Sequence, residues 1–276
     1  MAFLGQIHEL KVLRITSIGL FLEGGIYEDI LLPNRYVPEG AQVDDVLSVF
    51  IYLDNEGRPI ATTLVPLAQA EQFAVLTVKQ VNQYGAFLEL GIMKDLFLPF
   101  SEQREKVTEG QRVLVYVYHD DISARLAATT RWMRILKESI YKPEVGEEVD
   151  LIVFQRTDLG FNCIINHKAL GLMHFSDTIT ELSYGNKLKG YIKEVRPDGK
   201  INLSQNPSGL QRLEASEVFI LDKLKANNGF LPFTDDSDPE DIRNYFQISK
   251  KTFKRSVGML LKKNCIKLEK EGIRLV

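Results

Sequence analysis

Over the first two hundred positions of this 276-residue chain, apolar and β-branched residues come in short clusters. Val12-Leu13-Arg14-Ile15, Val75-Leu76-Thr77-Val78 and Val149-Asp150-Leu151-Ile152-Val153-Phe154 have the composition of strands. Leu47 to Leu53 and Val113 to Tyr118 add another strand to the first two groups. Turn formers separate them: Asp54-Asn55-Glu56-Gly57, Glu109-Gly110 and Pro197-Asp198-Gly199. After Asn206-Pro207-Ser208-Gly209 the period changes. Leu210, Leu213, Val218, Leu221 and Leu224 recur at helical spacing until Asn227-Asn228-Gly229. Asp238-Pro239-Glu240-Asp241 opens a second helix carrying Ile242, Tyr245 and Phe246, with acidic groups at the positive end of its dipole. Ser249 can cap a third, whose inward stripe is Phe253, Val257, Leu260 and Leu261. Ile266-Lys267-Leu268 and Ile273-Arg274-Leu275 alternate about Lys270-Glu271-Gly272, the pattern of a β-hairpin.

The β-rich part is repetitive. Residues 19–33 read GLFLEGGIYEDILLP and residues 85–99 read GAFLELGIMKDLFLP, identical at nine positions without a gap at an offset of 66. A further offset of 75 reaches residues 160–174, which keep the opening glycine, Gly160. Each unit also ends alike, at Arg58 to Thr63, Arg125 to Thr130 and Lys200 to Ser204. About five short strands in some 60–70 residues is the size of an OB-type barrel, which closes its sheet. Gly19, Gly85 and Gly160 fall in mid-strand, where glycine marks a bend or a close backbone approach.

In the third unit, Gly146-Glu147-Glu148-Val149 is followed by Gly171-Leu172-Met173-His174-Phe175-Ser176-Asp177. Gly185 to Ile192 and Lys200-Ile201-Asn202-Leu203-Ser204 complete the set. These stretches resemble the S1 RNA-binding domain, and the first two units resemble shortened, divergent members of that class. Helix, helix–turn–helix and hairpin resemble a winged helix. Three S1-type units before one winged helix are similar in order to the conserved virulence factor B family of bacterial RNA-binding regulators. The resemblance implies a mostly β multidomain chain, with three tandem OB-fold/S1-type five-stranded barrels followed by an α+β winged-helix domain. The expected spans are 1–65, 70–131 and 145–206 for the barrels, 132–144 for a helical connector, and 210–276 for the winged helix. Single-stranded RNA as partner and cytoplasmic, post-transcriptional, virulence-linked gene regulation are implied with it.

An S1 barrel holds RNA with two aromatics around its central glycine, a histidine on the next strand, and an Asp and a basic residue four positions apart near the last strand. Aromatic faces stack bases and cations track the phosphates. By that resemblance the second unit retains Tyr84, Phe87, Asp121 and Arg125, with Pro99 in the histidine position. The first retains Phe21, Asp54 and Arg58, with Ile18 and Pro33 as replacements. The third retains His174 and Lys200, while Leu159 and Asn162 replace both aromatics and Phe161 and His167 are substitutes to consider. The competing reading of an aromatic in a barrel is core. Phe21 and Phe87 alternate with Leu20, Leu22, Ala86 and Leu88, which can face inward instead. Arg58 and Arg125 could equally pair with Asp54 and Asp121 as solvated hairpin contacts.

The net charge of −3 conceals segregation. From Ser249 to Val276 nine cations face two acidic residues, after a stretch holding Asp235, Asp236, Asp238, Glu240 and Asp241. Lys250, Lys251, Lys254 and Arg255 are therefore the expected nucleic-acid face of the winged helix, placed where cations oppose the helix dipole. Cys163 and Cys265 form no ligand spacing, and no metal or other cofactor is expected. The N-terminus lacks the basic and apolar regions of a signal peptide, and no apolar run is long enough to span a bilayer. Paired carboxylates on a recognisable motif, a nucleophile–base signature and a P-loop are also missing, so the expectation is a non-catalytic protein. Two further readings stay open: a transcription factor binding duplex DNA through the winged helix, and an adaptor to RNA polymerase or the ribosome.

Overall fold

A computed structural model describes residues 4–276 except Ser208, Asp235 and Gln247, and gives backbone only for residues 209–215. The side chains of Leu210 and Leu213 and the whole of Asp235 thus lie outside the described residues. The first barrel is built from β1 (Ile7–Thr16), β2 (Gly19–Glu23), β3 (Asp29–Pro33), β4 (Val46–Leu53) and β5 (Pro59–Thr62). The second comprises β6 (Phe73–Val81), β7 (Gly85–Leu88), β8 (Leu96–Pro99), β9 (Arg112–His119) and β10 (Leu126–Thr129). The third comprises β11 (Glu148–Arg156), β12 (Gly160–Ile165), β13 (Ala169–His174), β14 (Lys187–Val195) and β15 (Ile201–Ser204). All three close in one cyclic order, the first as β1-β2-β3-β5-β4.

The repeat has a structural counterpart. The register of the first strand slips between Val12 and Arg14, between Val78 and Gln80, and between Val153 and Gln155. These bulges recur at the offsets of the sequence repeat. Each bends a long strand so that β1 pairs with β4 through its first half and with β2 through its second. The glycine and proline that bracket the repeated segment are cross-strand partners, Gly19 with Pro33 and Gly85 with Pro99. A Cβ at Gly19 would overlap the Leu32 carbonyl oxygen, and one at Gly85 the Leu98 carbonyl oxygen. Glycine is required there by close backbone approach.

Alternation fills the interiors. Leu20, Leu22, Ala86 and Leu88 are buried at 2% exposure or less, while Phe21 and Phe87 between them are only half-buried. The connector after the second barrel forms a short helix, α1 (Met133–Glu138). Trp132 and Leu136 pack onto a buried cluster of Phe73, Leu114, Ile152 and Ile164, shared by the second and third barrels. Trp132 meets Phe73 and Phe154 edge-on, at 5.6 and 5.5 Å between ring centres.

Two compact units divide the chain. One holds residues 1–142, 150–172 and 181–188, and the other holds 143–149, 173–180 and 189–276. In the second unit α2 (Gly209–Ala226), α3 (Pro239–Phe246) and α4 (Lys250–Lys262) cover a sheet ordered β16 (Phe230–Leu231), β18 (Gly272–Leu275) and β17 (Ile266–Glu269). Its core includes Ile220, Leu224, Leu231, Ile242, Phe246, Phe253, Val257, Leu260, Ile266 and Ile273. Val218 is not on the inward stripe as expected but 59% exposed. Leu221 and Leu224 turn inward as expected, and Ile220 takes the place of Val218, which points about a third of a turn away from their mean direction. No described helix is long and apolar enough to cross a membrane.

Candidate nucleic-acid interface

The second barrel gathers the largest set of expected contacts. Asn82 accepts hydrogen bonds from the backbone N–H groups of Tyr84 (2.8 Å) and Gly85 (3.2 Å), which fixes the turn entering β7. Tyr84 stands out from that turn with 67% of its surface exposed. Phe87 lies directly across from Phe97 on β8, with ring centres 5.2 Å apart. Phe97 escaped the sequence reading, although its alternation with the buried Leu96 and Leu98 was the signal for it. The position of Pro99, opposite Gly85, offers no imidazole.

These rings open onto a cleft of about 520 Å³, also lined by Tyr52 and Leu53 from the first barrel and by Lys94, Tyr118 and Arg125 from the second. Arg125 does not form the hairpin pair with Asp121 that the competing reading offered. Its guanidinium donates to the carbonyl oxygens of Asn55 (3.0 Å) and Asp54 (3.4 Å), on the first barrel's β4–β5 hairpin. Asp120, rather than Asp121, closes the second barrel's hairpin. Its N–H donates to the Arg125 carbonyl at 2.9 Å, and its carboxylate accepts from the Ser123 N–H at 2.9 Å. The β9–β10 turn is one residue longer than a four-residue Asp–Arg spacing assumes, leaving Asp121 exposed on the loop. Lys94, another residue the sequence reading missed, donates to the carbonyls of Leu53 (2.8 Å) and Asp54 (3.1 Å). Its burial, and then the nearby charge of Arg125, push its pKa down.

In the first barrel the cations are largely spent on intramolecular partners. Arg14 stacks over Phe21, 4.0 Å from the ring centre, and pairs with Asp29. Arg58 contacts Asp54 through Nη2 (2.8 Å) and Nε (2.9 Å) and Glu56 through Nη1 (2.9 Å). Asp54 Oδ1 accepts the backbone N–H groups of Glu56 and Arg58. Burial works to raise the Asp54 pKa, but the backbone and side-chain hydrogen bonds of Arg58 outweigh it and hold the carboxyl below its ordinary value. Here the solvated hairpin pairing describes Arg58.

The third barrel does not supply substitute platforms. Phe161 is a core residue, 6% exposed. His167 lies in the β12–β13 turn, where its Nδ1 accepts the Phe73 N–H at 2.9 Å and its ring stacks parallel to Phe73. Burial lowers its pKa, which favours the neutral acceptor form. Asn162 bonds Gln155, and Leu159 is 63% exposed. His174 is half-buried at the end of β13, and the exposed Lys200 shares Asp198 with Arg196.

On α4 the Ser249 hydroxyl accepts the Thr252 N–H at 3.2 Å, so the predicted cap forms. Phe253, Val257 and Leu260 are buried, while Lys251, Lys254 and Arg255 are exposed. Lys250 is tied down: its Nζ donates to the Ser237 carbonyl at 2.9 Å. The wing is braced by Arg274, which contacts Glu269 at 2.7 Å.

An S1 domain model matches residues 4–64 and 72–131, and a CvfB-like winged helix domain model matches residues 219–275. The chain is 30% identical to the uncharacterized protein YitL of Bacillus subtilis, over 94% of this chain and 89% of that protein. It is 26% identical to conserved virulence factor B of Staphylococcus epidermidis, over 98% of this chain and 94% of that one. A crystal structure of a multidomain protein with nucleic acid binding domains from Streptococcus pneumoniae is 23% identical over 99% of this chain and 98% of that one, with a TM-score of 0.40.

Proposed function

Given that the chain belongs to the conserved virulence factor B family, with S1-type barrels and a CvfB-like winged helix, we propose that it is a non-catalytic regulator that binds single-stranded RNA. The observation that carries this reading is the aromatic face of the second barrel. Tyr84 is exposed, Phe87 and Phe97 are half-buried, and Lys94 and Arg125 stand beside the same cleft. Flat rings stack bases without regard to sequence, and neighbouring cations meet the strand's phosphates. Tyr84, Phe87 and Arg125 therefore act as contacts, with Asp121 on the adjacent loop. Phe21, Asp54 and Arg58 form a weaker edge, since their charges are already paired. His174 and Lys200 on the third barrel, and Lys251, Lys254 and Arg255 on α4, add further attachment points. Several weak modules on one chain combine into useful avidity.

Fluorescence anisotropy with single-stranded RNA, single-stranded DNA and duplex DNA at two salt concentrations tests this. Tightest binding to single-stranded RNA is expected, weakening as salt rises. A preference for duplex DNA would instead favour a transcription factor that uses its winged helix. A second reading, a protein-binding adaptor, is favoured by the aliphatic Leu159 exposed where the third barrel lacks an aromatic. It gains if none of the three nucleic acids binds.

A further inference from the structure

The cleft beside Tyr84 has walls from two barrels. Tyr52 and Leu53 end β4 of the first, whereas Phe87, Phe97 and Tyr118 come from the second. Lys94 and Arg125 hold these walls together through four hydrogen bonds to the carbonyls of Leu53, Asp54 and Asn55. The opening is therefore set by a fixed joint. Its volume of about 520 Å³ lies within the small-ligand range, roughly 300–1,000 Å³. Five aromatic rings line it, those of Tyr52, Tyr84, Phe87, Phe97 and Tyr118. Its two carboxylates are already engaged, Asp95 by Lys79 at 2.9 Å and Asp120 by the Ser123 N–H. Lys94 donates to two carbonyls, and an ammonium group has three donors, so one is left for an incoming acceptor.

A planar, mostly apolar group with a carbonyl or ring-nitrogen acceptor suits this lining, and it would enter from the exposed ring of Tyr84. We propose that the cleft receives one unpaired nucleobase of a bound RNA strand, making the first two barrels a single composite base site. The proposal rests on the RNA-binding reading above and goes beyond it in making the first barrel a wall of the second barrel's site. Phe97 would stack on the base and Lys94 would donate to its edge.

The test is photo-crosslinking of a short single-stranded RNA carrying 5-iodouridine to the full chain, with the crosslinked residues mapped by mass spectrometry. Crosslinks at Tyr52, Phe97 or Tyr118 are expected in addition to Tyr84. Phe97→Ala should weaken RNA binding by about tenfold, within what the loss of one stacked base produces. Lys94→Met, which keeps the aliphatic stem, should weaken it less. RNA that binds with crosslinks confined to Tyr84, and with both variants at full affinity, would overturn the composite site and leave the RNA-binding reading intact. If the unaltered chain binds no single-stranded RNA, the RNA-binding reading fails and takes this site with it. Should Phe97→Ala fail to fold, the crosslink positions on the unaltered chain decide.

Discussion

Arg125 of the second barrel donates to the carbonyl oxygen of Asn55 in the first, 3.0 Å away and 70 residues earlier in the chain. The same guanidinium reaches the Asp54 carbonyl at 3.4 Å, where Lys94 also donates. Arg58, its counterpart in the repeat, instead makes exposed contacts with Asp54 and Glu56. Truncation should separate these roles. Arg125→Ala removes a charged donor from two carbonyls and should cost about 1.5–3 kcal/mol, the usual worth of hydrogen bonds from charged groups. Arg58→Ala should cost clearly less, as for other exposed ion pairs. Urea unfolding of both variants measures the difference, and equal costs would contradict this division of labour.

That contrast also marks how far the sequence could be read. The three barrels were legible because a gapless repeat, glycines at fixed places and period-2 alternation all follow from local backbone geometry. The bulges at Leu13, Lys79 and Phe154 keep the same offsets. Roles that depend on contacts between modules were not legible. Nothing near Arg125 announces that it bonds a hairpin 70 residues away, and nothing near His167 announces Phe73. Val218 was misassigned although the spacing itself argued against it: Ile220, four positions before Leu224, keeps the helical period, and Val218 does not.

Two glycines should respond in opposite ways to the same change. Gly85→Ala would drive a methyl group into the Leu98 carbonyl and the Phe97 ring across the sheet. Overpacking of this kind costs about 1–3 kcal/mol, and backbone is a poor yielder, so the upper end is expected. Gly258 lies within α4 with open space where its Cβ would be. Gly258→Ala should raise stability by about 0.5–1 kcal/mol through helix propensity alone. Thermal unfolding of the two variants provides the check.

Tyr84→Ala and Phe87→Ala probe the proposed platform. Tyr84 is mostly exposed, so its truncation should leave unfolding nearly unchanged while weakening RNA binding by about 1–3 kcal/mol if a base stacks on it. Phe87 also packs on Phe97, so its truncation should lower both affinity and stability. Anisotropy paired with urea melts distinguishes them. Full affinity in both variants would exclude this face as a base platform.

A pH dependence follows from His167. Its ring must be unprotonated at Nδ1 to accept the Phe73 N–H, and burial, with Lys187 nearby, lowers its pKa from 6.5 while Asp150 pulls the other way. A histidine with a depressed folded pKa contributes its full stability above the unfolded value. That contribution shrinks as pH falls below about 6.5 and is lost through the lower folded pKa. Urea midpoints should therefore fall between pH 7.5 and pH 5 more in the unaltered chain than in His167→Gln, whose amide does not titrate. An equal fall in both would show that other groups govern acid sensitivity.

On α4 three cations, Lys250, Lys251 and Arg255, should separate by function. Lys250 donates to the Ser237 carbonyl, so Lys250→Ala should lower stability, by about 1.5–3 kcal/mol if that bond has the strength usual for a charged donor. Lys251 is exposed in the first turn, where positive charge opposes the helix dipole, and Arg255 is exposed in the second, so removing them should leave stability unchanged or, at Lys251, slightly raised. If they meet phosphates, the slope of log K against log salt should fall by about 0.7 per residue removed for a single strand. Loss of affinity should then be similar across RNA sequences, because phosphate contacts position a strand without reading it. A double variant, Lys251→Ala with Arg255→Ala, that keeps the full salt slope would move the winged helix out of the RNA interface and leave α4 free for a protein partner.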